Sequence, residues 1–152
     1  MASPLSRLRD LGIVLPAVVP PVAAYLPAVR SGQFVYTSGQ LPMVDGALAA
    51  TGKVGAQVTP EQAHELARTC ALNALAAIDA LVGLDAVAQV VKVVGYVASD
   101  PAFTGQPGVV NGASTLLSDV FGEAGRHARS AVGVAALPLD APVEVELIVA
   151  LA

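Results

Sequence analysis

The stretch from residue 86 to residue 99 (AVAQVVKVVGYVAS) constrains the fold more than any other part of the chain. It is valine-rich and broken only by Gln89 and Lys92, and β-branched side chains fit a pleated strand better than a helix. Simple alternation places Val87, Val91, Val93 and Val97 on one face, and Val90, Val94, Tyr96 and Ala98 on the other. Both faces are apolar, and a strand of that kind has to be covered on both sides. The chain therefore needs a sheet with helices on one face and further apolar cover on the other.

Two segments can supply the helices. Thr59-Pro60-Glu61-Gln62 has a capping threonine, a proline suited to the first helical position and a glutamine placed to complete a capping box. Ala63, Leu66, Ala67, Cys70, Ala71, Ala74, Ile78 and Leu81 then recur at helical spacing, and the helix is predicted to run to Val82 and stop at Gly83. Small residues on that stripe let the helix lie close to a sheet. Pro107 opens a second helix, ended by Gly122 after Phe121. A short helix from Ser3-Pro4 to Leu11 comes before an extended, proline-rich stretch, and residues 1–22 read as an extended N-terminal segment of a single domain covering 1–152.

The remaining strands are predicted from alternation. Residues 25–30 and 33–38 form a hairpin around Ser31-Gly32, Asp45-Gly46 is a turn, and residues 128–137 and 143–152 are the last two strands. In the final strand Val143, Val145, Leu147, Val149 and Leu151 face one way, and Glu144, Glu146, Ile148 and Ala150 the other. The order is strands, helix, strand, helix, strands, and the two helices can cover one face of a single sheet.

Composition bears on the uncovered face. Apolar residues make up 55% of the chain and charged residues 13%, against roughly 25% charged in typical soluble domains. So few charges leave apolar surface for a second copy of the chain to cover, and a homo-oligomer is expected. The formal charge of −4, with no Lys/Arg cluster beyond Arg126 and Arg129, argues against nucleic acid as a partner. Residues 11–29 are uncharged over nearly a membrane span, but Pro16, Pro20, Pro21 and Pro27 break any helix there, and no membrane association is expected. Arg7 and Arg9 ahead of an apolar run, with Val22-Ala23-Ala24 beyond it, have the outline of a secretory leader. Asp10 and the prolines argue against it, and a cytoplasmic protein is expected.

Few residues are placed to carry chemistry. His64 reads as a surface histidine beside Glu65, and Cys70 as a buried structural thiol. His127 is not spaced with His64 as a metal pair, and no metal site is expected. Arg129, Glu144 and Glu146 stand out because each is a charge near the start of an apolar strand, where it must be paired or solvated. Two readings fit. One is an ion pair tying two strands together. The other is a pocket in which Arg129 grips a carboxylate as a planar fork while a glutamate handles the protons of a water.

At these residues the chain resembles the RidA/YjgF imine deaminases, also called L-PSP endoribonucleases. Val35-Tyr36-Thr37-Ser38-Gly39-Gln40-Leu41-Pro42 is similar to the family's early SGQ-P motif. Arg129-Ser130-Ala131-Val132-Gly133-Val134, Leu137-Pro138 and Val143-Glu144-Val145-Glu146 are similar to its C-terminal motif, and Val110-Asn111 also fits. The resemblance implies a chorismate-mutase-like α+β fold, a mixed β-sheet with two helices packed on one face, and a homotrimer with ligand clefts between subunits. It also implies cofactor-free hydrolysis of enamines and imines of amino acids, such as 2-aminoacrylate, to a 2-keto acid and ammonia. By position, Arg129 is the carboxylate-binding arginine and Glu144 the water-activating glutamate, with Glu146 structural. Tyr25, Ser38, Gly39, Asn111 and Ala131 border the substrate. Ala131 stands where the family often has cysteine, and Gly125-Arg126-His127 and the N-terminal segment also depart from the common pattern, which marks a divergent branch. A small-carboxylate-binding trimer without turnover and an endoribonuclease are the alternative functions.

Overall fold

The computed structural model describes residues 2–21 and 23–152. Val22, part of the leader-like Val22-Ala23-Ala24, lies outside the described residues. Helix α1 (Pro4–Asp10) is capped by Ser3, whose hydroxyl accepts the Ser6 N–H at 3.2 Å. It anchors the N-terminus through Leu8, which is buried in the core.

The hairpin pairs β1 (Ala28–Ser31) with β2 (Phe34–Thr37). Its turn is Gly32-Gln33 rather than Ser31-Gly32: Ser31 pairs with Phe34, and Gly32 takes φ 59° as the first of the two turn residues. Asp45-Gly46 is the predicted turn, with positive φ at both positions, and joins β3 (Met43–Val44) to β4 (Ala47–Leu48). Helix α2 (Pro60–Val82) has the full capping box, Thr59 Oγ1 accepting from Gln62 N at 3.1 Å and Gln62 Oε1 from Thr59 N at 2.9 Å. It stops at Gly83, as predicted. Strand β5 (Val87–Ala98), helix α3 (Gln106–Phe121), β6 (Ala128–Val134) and β7 (Val143–Leu151) complete the chain. Strand β6 ends three residues short of the predicted Leu137 because its partner ends: Val134 pairs with Ala98, the last residue of β5.

The main sheet has the order β1-β2-β7-β5-β6, with β5 and β6 parallel and the other pairs antiparallel. Helices α2 and α3 cover one face, so the predicted mixed α+β architecture is the one observed. In β7 the alternation holds as read, with Val143, Val145, Leu147 and Val149 buried beneath the helices. In β5 it does not. Register irregularities between Val87 and Gln89 and between Val90 and Lys92 insert extra residues against β7. They turn Val90 into the core beside Val93 and Val97 and move Val91 out of it.

The helices approach each other as closely as their backbones allow. A Cβ on Gly112 of α3 would overlap the His64 carbonyl of α2. Among the described residues no helix or second sheet covers the opposite face. Val29, Phe34, Tyr36 and Val132 lie there between 43% and 49% exposed, which is the spare apolar surface expected from the charge-poor composition.

Candidate functional site

Glu144 opens β7 on the helix-free face, opposite Tyr96 of β5. Gly39 leaves β2 directly against it, and a Cβ at that position would overlap the Glu144 carboxylate, so a larger residue there requires that side chain to move. Glu144 and Gly39 line a pocket of about 50 Å³ together with Val19, Pro20, Pro21 and Tyr25. No hydrogen bond or ion pair reaches the Glu144 carboxylate among the described residues. Burial, and secondarily the charge of Glu146, push its pKa above the ordinary carboxylate value. Glu146 accepts a 2.7 Å hydrogen bond from the Tyr96 hydroxyl. That bond and partial burial push the phenol up to about 12. Beneath the pocket Cys70 is fully buried, its Sγ 3.7 Å from the Val143 carbonyl, and burial holds its pKa well above the usual thiol value. It is the inert structural thiol predicted.

Arg129 sits elsewhere. Its β6 position pairs with Val93, which faces the helices. The guanidinium accordingly reaches α3: Nη1 donates to Asn111 Oδ1 at 2.7 Å and to Ser114 Oγ at 3.3 Å, and Nη2 donates to the Pro107 carbonyl at 3.4 Å. All three partners are uncharged, and among the described residues Arg129 forms no ion pair. The alternative of a strand-tying Arg129–Glu pair within the chain is not what the structure holds.

The predicted site residues thus fall into two groups. Glu144, Gly39 and Tyr25 surround the pocket on the open face. Ser38 is next to them, but its hydroxyl donates to the Leu26 carbonyl at 2.5 Å and so ties down the segment carrying Tyr25. Arg129, Asn111 and Ala131 lie at the β6 edge beside α3, where Ala131 offers no polar group. Strand β5 separates the two groups, and they occupy opposite faces of one sheet.

Sequence reading missed three contributors. Asn73 donates from α2 to the Leu41 and Met43 carbonyls at 3.1 Å each, fixing the loop beside the pocket; a buried amide in an apolar stripe was the available signal. Ser114 and the Pro107 carbonyl, which hold Arg129, gave no signal in the sequence. His64 is half-buried rather than a surface residue, with Nδ1 donating to the Gly108 carbonyl at 3.0 Å. Among the described residues no three of His, Cys, Asp and Glu converge as a metal site, and no helix is long and apolar enough to cross a membrane.

The family model described as "YjgF/chorismate mutase-like, putative endoribonuclease" matches residues 5–151. The chain belongs to this YjgF family. Protein TCP17 of Trypanosoma cruzi is 47% identical over 148 residues, covering 96% of this chain and 92% of that protein. The crystal structure of Atu1372 from Agrobacterium tumefaciens, a protein of unknown function, is 46% identical with a TM-score of 0.89, covering 96% and 91% of the two chains. E. coli TdcF, solved with bound serine, is 26% identical with a TM-score of 0.65, covering 89% and 94%. The α+β mixed sheet is therefore the YjgF/chorismate-mutase-like fold. The chain lies nearer to Atu1372 than to TdcF within the family, in keeping with its divergent motifs.

Proposed function

We propose that this protein is a cytoplasmic homotrimeric hydrolase that deaminates small 2-imino acids to 2-keto acids and ammonia at sites shared between subunits. One observation carries the reading. A half-buried carboxylate, Glu144, stands unpartnered among the described residues in a small pocket, while the cation suited to bind an acid, Arg129, waits with uncharged partners on the other face of the same sheet. Ionisable groups left in this state are typical of reactive sites. Within one chain the two cannot grip one small molecule, so Arg129 of one copy has to serve Glu144 of another. The bare apolar sheet face supplies a surface for that association. TdcF, a family member solved with an amino acid bound, supports a carboxylate ligand here.

The chemistry needs little more. The substrate carboxylate docks on Arg129. Glu144 takes a proton from water, and its raised pKa makes it a stronger base than an ordinary carboxylate. The hydroxide equivalent adds to the electrophilic C2 of the protonated imine. Glu144 returns the proton to nitrogen and then takes the hydroxyl proton as the C–N bond breaks, so that ammonia leaves and the carbonyl of the keto acid forms. A pocket of about 50 Å³ has room for a few waters or a short aliphatic side chain; a dry cavity that takes benzene is roughly 150 Å³. A charge of −4 without a basic groove argues against RNA cleavage.

The test couples an amino-acid oxidase or dehydratase, which generates the imine, to semicarbazide trapping, with and without this protein. Arg129→Ala and Glu144→Ala are each expected to lose roughly 10- to 100-fold in kcat/KM. Mixed and reassembled, the two variants regain activity, because about one site in four then pairs an intact arginine with an intact glutamate. Tight keto-acid binding with no turnover would reassign the protein as a carboxylate-binding trimer. Cleavage of RNA that is lost in Glu144→Ala would reassign it as a ribonuclease.

A further inference from the structure

The grip on Arg129 extends one residue beyond its direct partners, and the direction of every hydrogen bond in it can be assigned. His127 Nδ1 lies 2.6 Å from the Gly125 carbonyl oxygen, which can only accept, so Nδ1 carries a hydrogen. In the neutral ring Nε2 is then an acceptor, and Ser114 Oγ, at 2.9 Å, is its donor. With its single hydrogen committed to His127, the Ser114 hydroxyl has only lone pairs for Arg129 Nη1 at 3.3 Å. Of the five guanidinium N–H groups, Nη1 uses two and Nη2 uses one, on Asn111, Ser114 and the Pro107 carbonyl. The two that remain are Nε–H and one on Nη2. Both are left to donate to the oxygens of a carboxylate.

We propose that His127, acting through Ser114, is a positioning residue for Arg129. Its Nδ1–H tautomer orients the Ser114 hydroxyl, the hydroxyl oxygen holds Nη1, and the plane of the guanidinium is fixed with Nε–H and one Nη2–H left for a ligand. Asn111 and Ser114 lie one turn apart on α3, so the two Nη1 bonds define that plane from one rigid element. Without His127 the serine hydroxyl is free to rotate, and the guanidinium keeps Asn111 and the Pro107 carbonyl but loses the Ser114 restraint on Nη1. The proposal rests on Arg129 being the carboxylate grip, and its test separates the two ideas.

The full-length chain, ¹⁵N-labelled, is compared with His127→Phe, which keeps a ring but no nitrogen, His127→Gln, which returns an acceptor near the Nε2 position, and Ser114→Ala. Thermal unfolding checks that each variant is folded. Long-range ¹H–¹⁵N spectra are expected to show His127 as the Nδ1–H tautomer, with His127→Phe identifying its signal. The Arg129 guanidinium is expected to rotate slowly in the natural protein and in His127→Gln, and fast in His127→Phe and Ser114→Ala. Pyruvate binding and imine turnover are expected to weaken about tenfold in Kd and KM for those two variants, with kcat within about twofold, and to recover in His127→Gln. An Nε2–H tautomer, or Arg129 rotation unchanged by His127→Phe, overturns the proposal. If rotation responds to His127 but the natural protein binds no keto acid, the positioning role stands and the carboxylate reading of Arg129 falls.

Discussion

Asn73 offers a stringent test of how the pocket loop is held. It is 1% exposed on α2, and its Nδ2 donates both hydrogens, at 3.1 Å each, to the carbonyls of Leu41 and Met43. Two neutral hydrogen bonds contribute about 1 kcal/mol each, and the void left by the amide adds about 1 kcal/mol more. Asn73→Ala is therefore expected to lose about 3 kcal/mol. The cost stays near that figure because the Leu41 carbonyl keeps a second donor, Met43 N at 2.8 Å. Asn73→Asp has almost the same shape but faces two carbonyl oxygens with a group that only accepts when ionised. It is expected to cost more than the alanine variant at pH 7. The fold raises the pKa of this new carboxyl above its unfolded value of about 3.9. The penalty is thus absent where both states are protonated and grows as pH rises through the window above about 4. Urea unfolding of the three proteins at pH 7 and pH 4 measures this. An aspartate variant as stable as the alanine variant at pH 7, or an alanine cost below about 0.5 kcal/mol, would refute the reasoning.

Three other perturbations follow from the same geometry. Glu144 has a raised pKa, so the folded protein loses stability as pH climbs from the ordinary value of 4.5 through the raised one; Glu144→Gln is expected to melt higher than the natural protein at pH 7, with the gap closing below about pH 4.5 in thermal scans. Gly112→Ala drives a methyl into the His64 carbonyl and is expected to cost about 2–3 kcal/mol in denaturant unfolding. Thr59→Ala removes half of the α2 capping box and is expected to cost about 1 kcal/mol by the same measurement.

What could be read in advance was whatever local physics decides. The α2 boundaries were legible because Thr59, Gln62 and Gly83 act within a few residues of themselves, and β7 because its burial keeps strict alternation. The faces of β5 were not, since its irregularities arise only against β7 and exchange Val90 for Val91 without any local mark. The site was half legible. Arg129 and Glu144 stood out as charges in apolar strands, but that they occupy opposite faces depends on how β6 and β7 register against β5. The Ser114–His127 support of Arg129 joins a helix to a strand edge and needs the tertiary structure to be seen.

The pocket around Glu144 has a floor and a roof of different kinds. The floor at Gly39 is main chain packed against the Glu144 carboxylate, so a side chain added there would displace that carboxylate. The roof comes from Val19, Pro20 and Pro21, in a stretch (14–21) that makes no hydrogen bond among the described residues. Altering the roof therefore breaks no strand pairing of the sheet. On the proposed function, preference for one small acid over another can drift through this arm while Glu144 and Arg129 stay where they are, so the choice of substrate is free to evolve separately from the chemistry.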